Sequence, residues 1–126
     1  MEKKAYKVVL GKLGEDAAVK FLKKKGYGII TQNFRSGRLG EIDIIAKKGE
    51  FLCFIEVKAR TSLAFGMPQE AVDFRKQQNI KKIAMVFAGA SEIRSRCMRF
   101  DIIEIFVENK NGEYTVKKIN HIENAF

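Results

Sequence analysis

Charged side chains stand inside two stretches of this chain that otherwise have the composition of buried β-strands. The first stretch is Gly40–Ala46, with the sequence GEIDIIA, and the second is Phe54–Arg60, with the sequence FIEVKAR. A buried carboxylate or ammonium group is costly unless it is paired or bound to a metal. The fold must therefore supply partners for these charges, and only a few arrangements of the two strands can do so.

The alternation of side chains along a β-strand decides which of these charges share a face. Residues two apart point to the same side, so Glu56 and Lys58 share a face, as do Glu41 and Asp43. If the two strands pair as neighbours, Asp43, Glu56 and Lys58 converge on one spot. Glu41 begins its strand, and a solvated position explains it equally well.

Two carboxylates and an amine at one spot suit a divalent metal, an activated water and a phosphate. Asp43 and Glu56 are the candidate metal ligands, and the backbone carbonyl of Val57 is a further oxygen donor between the strand side chains. A hard, oxygen-preferring ion such as Mg²⁺ or Mn²⁺ fits this donor set. Lys58 would orient or deprotonate the water, or stabilise charge that develops on the phosphate. An ordinary ion pair between Glu56 and Lys58 is the structural alternative.

A long amphipathic helix is predicted over Ala5–Lys25, and Gly26 is the glycine expected after its last turn. Its apolar face is formed by Val8, Gly11, Gly14, Ala18, Val19 and Leu22. Glu15 falls within this apolar face, although the helix has many solvent-facing positions for a glutamate. Glu15 is therefore a fourth candidate catalytic residue, which would hold a metal-bound water or a second ion.

The remaining elements follow from hydrophobic periodicity and turn residues. The predicted strands cover residues 27–34, 41–46, 51–59, 98–106 and 114–119, and a second helix covers 68–88, with Pro68 at its start. Residues 47–50 form the turn of an antiparallel hairpin, and Asn111-Gly112 is a second turn. The order of helix, three strands, helix and two strands predicts a single α/β domain over residues 1–126, with a mixed sheet flanked by helices.

The charge of the chain points to a polyanionic partner. The formal net charge is +9 over 126 residues, which favours nucleic acid but does not separate DNA from RNA. No apolar run is long enough to span a membrane, so no membrane partner is expected. Cys53 and Cys97 form neither a disulfide framework nor a CxxC motif, and the expected location is a reducing cytoplasm.

Five basic or polar side chains are candidate nucleic-acid contacts. Arg35, Arg38 and Arg60 flank the proposed site, which favours them as phosphate ligands. Gln69 stands near the predicted start of the second helix, where a phosphate is readily bound. Gln69 and Lys76 both fall on the apolar stripe of that helix, where boundary residues with snorkelling stems are also common.

The lone histidine, His121, is expected to have a structural role, because the chain has no second histidine for a metal cluster.

The two charged strands carry a recognisable pattern. Glu41-Ile42-Asp43 followed by Glu56-Val57-Lys58 resembles the PD-(D/E)XK nuclease signature, which many restriction enzymes and archaeal Holliday junction resolvases share. Nearly the whole chain is similar to the YraN-like family of small bacterial proteins predicted to be endonucleases. The matching stretches are Gly14–Ala18, Asn33–Arg35, Gly40–Ala46, Phe54–Arg60, Gly66–Val72, Lys76, Arg99–Asp101 and His121–Phe126.

The resemblance implies a restriction-endonuclease-like fold and a Mg²⁺- or Mn²⁺-dependent endonuclease. Asp43, Glu56 and Lys58 occupy the signature positions, and Glu15 matches the first-helix acid of resolvase-like branches. Ile42 departs from the pattern, since a proline often stands before the aspartate. The implied substrate is DNA, including branched repair or recombination intermediates, which a homodimer would cut symmetrically. The alternative is a catalytically silent nucleic-acid-binding module of the same fold that acts with a partner.

Overall fold

A computed structural model describes the backbone of residues 2–61, 72–90 and 97–126, with side chains from residue 8 onward except at residue 90. Its elements are α1 (Glu2–Lys24), β1 (Gly28–Arg35), a short 3₁₀ helix (Gly37–Leu39), β2 (Glu41–Lys48), β3 (Phe51–Arg60), α2 (Phe74–Ala90), β4 (Cys97–Lys110) and β5 (Glu113–Ile122). The described elements thus follow the predicted order of helix, three strands, helix and two strands.

The five strands form one mixed sheet in the order β1-β2-β3-β4-β5. Strands β3 and β4 are parallel, and every other neighbouring pair is antiparallel. Helix α2 lies in the crossover between β3 and β4 that a parallel pair requires. The predicted α/β class is confirmed, and this architecture is consistent with the predicted restriction-endonuclease-like fold.

The two helices cover opposite faces of the sheet. On one face, Cys53 and Ile55 of β3 pack in a core that includes Ala18 and Leu22 of α1. On the other face, Leu52 and Phe54 pack with residues of α2 such as Ile80 and Ile83. Burial on both faces explains why the central strands are nearly continuous in apolar residues.

Helix α2 begins later than predicted. Residues 72 and 73 are not helical, and the helix starts at Phe74; Pro68 lies outside the described residues. The physical reason is the side chain of Asp73, whose Oδ1 accepts a hydrogen bond from the backbone N–H of Lys76 at 2.8 Å. Asp73 is therefore the N-cap, a role that aspartate fills well.

The buried row of α1 also differs from the predicted one. Val8 and Gly11 are exposed, whereas Leu10 is buried. The row that faces the sheet has a spacing of four residues, and it consists of Leu10, Gly14, Ala18 and Leu22. Such i, i+4 rows are the ridges with which helices commonly pack.

The last two strands are longer than predicted, and the turn between them has the predicted position. Asn111 and Gly112 have φ values of 53° and 85°, the positive values that a type I′ hairpin turn requires. Cys53 is buried, and neither Cys53 nor Cys97 forms a disulfide. Within the described ranges, no helix has the length and apolar character needed to cross a membrane.

A group of polar side chains, here called the Asp101 cluster, is buried on the α1 face. Asp101 has 0% exposure. It accepts hydrogen bonds from Arg99 Nε at 3.0 Å, from His121 Nε2 at 2.7 Å and from the backbone N–H of Asn124 at 2.9 Å. Arg99 also donates to the hydroxyl of Tyr27. The cluster ties the end of the chain to the sheet, and this accounts for the predicted structural role of His121.

Candidate active site

A cleft opens where β2 and β3 stop pairing with each other. Their described pairing runs from Lys48–Phe51 to Ile44–Ile55 and does not extend further. Beyond it, the backbone N–H of Val57 donates to Oδ2 of Asp43 at 2.8 Å. A side-chain carboxylate thus takes the place of the backbone acceptor that the neighbouring strand would otherwise provide. The strands can then separate without leaving this donor unsatisfied.

The cleft has a volume of about 400 Å³ and gathers most of the residues predicted from the sequence. Its lining consists of Gly11, Glu15, Arg35, Gly40, Glu41, Asp43, Glu56, Val57, Lys58, Ala59 and Lys76. We refer to Asp43, Glu56, Lys58 and Lys76 as the cleft cluster. The structure therefore brings the signature residues together with the helix α1 acid, from three separate parts of the chain.

Glu56 is the most unusual member of the cleft cluster. It is 2% exposed, and its Oε2 lies 3.2 Å from Nζ of Lys76. Among the described residues, its buried Oε1 has no hydrogen-bond partner. Burial and the charge of Asp43 raise the pKa of Glu56 to about 7, although Lys76 and Lys58 oppose the shift. One oxygen of this carboxylate is thus available to a ligand.

The charges of the cleft cluster also shift the pKa values of its other three members, Asp43, Lys58 and Lys76. Burial raises the pKa of Asp43, against the opposing effects of the Val57 N–H and the two lysines. Burial lowers the pKa of Lys58, and the neighbouring Lys76 lowers it further. Burial also acts to lower the pKa of Lys76, but attraction to Glu56 and hydrogen bonds to Lys58 and Glu56 outweigh it, so its pKa is raised. The site thus favours proton loss from one lysine and charge on the other.

Glycine at position 14 allows α1 to bring Glu15 to the cleft. A Cβ atom at Gly14 would lie 2.8 Å from Cβ of Ala59, closer than two non-bonded carbon atoms can approach without a shift. The helix therefore packs directly on β3 at this point, and the next residue, Glu15, lines the cleft. Burial and the charge of Asp43 raise the pKa of Glu15.

Asn33 is a site residue that the sequence analysis missed. It lies in β1 between the paired positions Gln32–Ile44 and Phe34–Ile42, and therefore opposite Asp43. Its φ of 53° is a left-handed conformation, which asparagine tolerates better than most residues. Its Nδ2 donates to Oε2 of Glu15 at 3.4 Å, which opposes the rise in the pKa of Glu15. An asparagine inside a strand pattern was the available signal, because strands are depleted in this residue.

The predicted phosphate contacts have different fates. Arg35 lines the cleft with a side chain that is 66% exposed, and it lies 3.8 Å from Glu41. Arg38 is exposed on the 3₁₀ helix and is not part of the cleft lining. Arg60 is 7% exposed and forms an ion pair with buried Glu104 at 3.0 Å, so it does not face the cleft. Gln69 lies outside the described residues.

The donor groups of the cleft fit the expected hard cation. In the described ranges, no three acidic, histidine or cysteine side chains stand close enough to hold an ion by themselves. Mg²⁺, however, is usually bound by one or two carboxylates and keeps several waters. Asp43, the unpartnered Oε1 of Glu56 and the carbonyl of Val57 supply oxygen atoms of this kind. The identity of the metal stays a prediction.

Comparison with known proteins gives the family of the chain. The model of the uncharacterised protein family UPF0102 matches residues 14–105, which include all four members of the cleft cluster. A UPF0102 protein of Caldicellulosiruptor bescii is 50% identical over 118 residues, which cover 93% of this chain and 96% of the relative. One from Acetivibrio thermocellus is 48% identical over 116 residues, with coverages of 92% and 89%. One from Clostridium botulinum is 46% identical over 118 residues, with 93% of each chain covered.

These names state a family and no activity, so the predicted nuclease chemistry stays a prediction. The family part of the resemblance is confirmed: the chain belongs to the UPF0102 family.

Proposed function

We propose that this protein is a metal-dependent endonuclease that hydrolyses phosphodiester bonds in DNA. The observation that carries the proposal is the convergence of Asp43, Glu56 and Lys58 in one open cleft, with a buried carboxylate oxygen that lacks a partner. A protein that only bound nucleic acid would gain nothing from carboxylates that face phosphate. The cost of burying them is explained if they hold a cation.

Each residue has a defined part in this proposal. Asp43 and Glu56, with the carbonyl of Val57, would hold Mg²⁺ or Mn²⁺. The bound ion would neutralise phosphate charge and lower the pKa of a coordinated water. Lys58, whose pKa is lowered by burial, would accept or position the proton of the attacking water. Glu15 would orient water from the α1 side of the cleft.

The proposed partner is DNA, and the proposed location is the cytoplasm. The net charge of +9 attracts a polyanion, and Arg35, which is exposed at the cleft, would contact a phosphate. Branched repair or recombination intermediates are the proposed substrates. Symmetric cutting of such a substrate would require a homodimer, which sedimentation of the protein with and without DNA would detect.

The deciding experiment is cleavage of a labelled DNA panel that contains duplex, single-stranded, flap and four-way junction substrates. Each substrate is incubated with Mg²⁺, Mn²⁺ or EDTA, and wild type is compared with Lys58→Ala. We expect metal-dependent cutting that the Lys58 variant loses. Lys82→Ala is the matched control, because Lys82 is an exposed residue of α2 outside the cleft lining and its loss removes the same charge.

A catalytically silent DNA-binding module is the second candidate. The ion pair between Lys76 and Glu56 favours it, because this contact gives Glu56 a partner without any metal. Binding of the panel without cutting by wild type, in all metals, would support the silent module and contradict the endonuclease.

A further inference from the structure

The ammonium group of Lys76 is a cation that already contacts one oxygen of Glu56, while the other oxygen has no described partner. Its Nζ lies 3.2 Å from Oε2 of Glu56, and it shares a hydrogen bond with Lys58. Asp43 and Glu56 thus face two lysines, and the charge on Lys76 offsets part of the negative charge that attracts a divalent ion. A metal that binds the unpartnered Oε1 of Glu56 brings a second cation to the carboxylate whose Oε2 Lys76 contacts, and repulsion between the two cations weakens the hold of Lys76.

The position of Lys76 in α2 supports a specific role at this carboxylate. The backbone of Lys76 is capped by Asp73, so Lys76 lies in the first turn of the helix. The N-terminal end of a helix carries partial positive charge and disfavours lysine. Attraction to Glu56 offsets this cost. Without that ion pair, a lysine in the first turn of α2 would be unfavourable.

The two partners differ in their freedom to move. The side chain of Lys76 is 40% exposed, whereas that of Glu56 is 3% exposed. Lysine has a flexible stem with four carbon atoms, so its ammonium group can leave Glu56 while the carboxylate stays in place. Of the two partners, Lys76 is therefore the one that solvent, and hence a phosphate at the cleft, reaches more readily.

We propose, as an extension of the proposed function, that Lys76 is an exchangeable counter-ion of Glu56. It holds the carboxylate until a metal binds, and it then pairs with a phosphate of the DNA. Metal and DNA therefore strengthen the binding of each other, because the phosphate takes up the lysine that the metal displaces. Without DNA the protein binds its metal weakly. The exchange of Lys76 between Glu56 and a phosphate therefore couples metal binding to the presence of substrate.

The test is a titration with Mn²⁺, in which electron paramagnetic resonance measures the free ion. Wild type, Lys76→Met and Lys82→Met are compared with and without the panel DNA that binds most tightly in EDTA. Without DNA, we expect Lys76→Met to bind Mn²⁺ about fivefold more tightly than wild type or Lys82→Met. DNA should tighten Mn²⁺ binding to wild type by a similar factor and should have a smaller effect on Lys76→Met. Lys76→Arg, which keeps the charge, should resemble wild type.

Two results separate this inference from the proposed function. If Asp43→Asn loses Mn²⁺ binding but wild type and Lys76→Met have equal or reversed affinities, the role of Lys76 is overturned and the metal site is kept. If neither wild type nor Lys76→Met binds Mn²⁺ with or without DNA, the metal site itself is overturned, and the inference with it. Thermal unfolding of each variant confirms that the compared proteins are folded.

Discussion

Glu56 and Asp101 are buried acids on neighbouring strands, and their surroundings are opposite. Asp101 pairs with Ile55 across β3 and β4, one position before Glu56, so the two acids lie on opposite faces of the sheet. Hydrogen bonds from His121, Arg99 and the Asn124 backbone lower the pKa of Asp101 despite its burial. Glu56 has an oxygen without a described partner, and its pKa is raised to about 7.

The difference in partners indicates that the charge of Asp101 stabilises the fold, whereas the charge of Glu56 does not. The Asp101 cluster satisfies its central acid from several directions, and it holds distant parts of the chain together. The cleft cluster crowds two acids and two lysines and leaves a buried acceptor unsatisfied. Groups in such perturbed surroundings are concentrated at functional sites. The predictions below test this contrast.

Asp101→Asn should have the largest effect on stability. The change keeps the shape of the side chain but removes the charged partner that lies 2.9 Å from the buried guanidinium of Arg99, which keeps only the more distant Glu123 at 3.9 Å. Loss of one partner of a buried ion pair costs about 3–5 kcal/mol. Urea unfolding followed by circular dichroism measures this loss. A cost below about 1 kcal/mol, typical of an exposed pair, would place Asp101 among the weak ion pairs.

Asp43→Asn should greatly lower the proposed DNA-cleavage activity and leave the fold intact. Asparagine can still accept the hydrogen bond from the Val57 N–H, so the strands should keep their separation. Loss of a charged group that stabilises the reacting atoms typically lowers the rate by about 10²–10³-fold. Cleavage kinetics measure the rate, and fluorescence anisotropy in EDTA should show tighter DNA binding, because a charge that repels phosphate is gone. Weaker DNA binding by a folded variant would contradict the site.

Glu56→Gln should stabilise the protein, in contrast to Asp101→Asn. Glutamine removes the cost of a buried carboxylate beside Asp43, and relief of such a functional site commonly gives about 0.5–2 kcal/mol. Urea unfolding in EDTA at pH 8 measures the gain without bound metal. Destabilisation by more than about 1 kcal/mol would show that the ion pair with Lys76 outweighs the burial cost.

Glu56 and Asp101 should change the free energy of unfolding with pH in opposite directions. Glu56 has a folded-state pKa of about 7 against an ordinary value of 4.5, so its ionisation destabilises the fold progressively as the pH rises between these values. The advantage of Glu56→Gln should therefore grow from pH 5 to pH 8. Asp101 has a lowered pKa, so its contribution is present above its ordinary pKa of 3.8 and is lost as the pH falls through its folded value. Asp101→Asn should lose its penalty in acid.

Asn33 offers the smallest and most local test. At a φ of 53°, Asn33→Ala should cost about 1 kcal/mol of backbone strain. Asn33→Gly has no such strain and should stay within about 0.5 kcal/mol of wild type. Both variants lose the amide that donates to Glu15, so both should raise the pKa of Glu15. Urea unfolding gives the first difference, and NMR titration of the Glu15 carboxyl gives the second. Unequal changes in that pKa would contradict a role for the amide.

The sequence was enough to predict the shared face of Glu56 and Lys58, because side-chain alternation is a local property of a strand. It was not enough to predict the surroundings of Arg60, which lies two residues after Lys58 on the same strand and was expected to contact phosphate at the cleft. The parallel register of β3 and β4 sets Lys58 opposite Glu104 and gives Arg60 that acid as its partner. Register between distant strands is fixed by packing, which one strand sequence does not contain.

The same limit explains Lys76 and the start of α2. Periodicity places Lys76 on the sheet-facing stripe, but its contact with Glu56 depends on where the helix begins and how it crosses the sheet. Pro68 is a strong start signal in the sequence, yet Asp73 caps the helix that forms. Two adequate signals within six residues cannot be ranked without the tertiary contacts that select one.

The Asp101 cluster also sets the order in which the chain can reach its native state. It joins residues far apart in sequence, such as Arg99 to Tyr27 and His121 to Asp101. During synthesis, α1, β1, β2 and β3 leave the ribosome before β5 and Asn124 exist to satisfy Asp101. Non-local pairing of this kind slows folding, and early strands with unpaired edges are prone to aggregation. We expect chains that are halted before residue 120 to depend on chaperones.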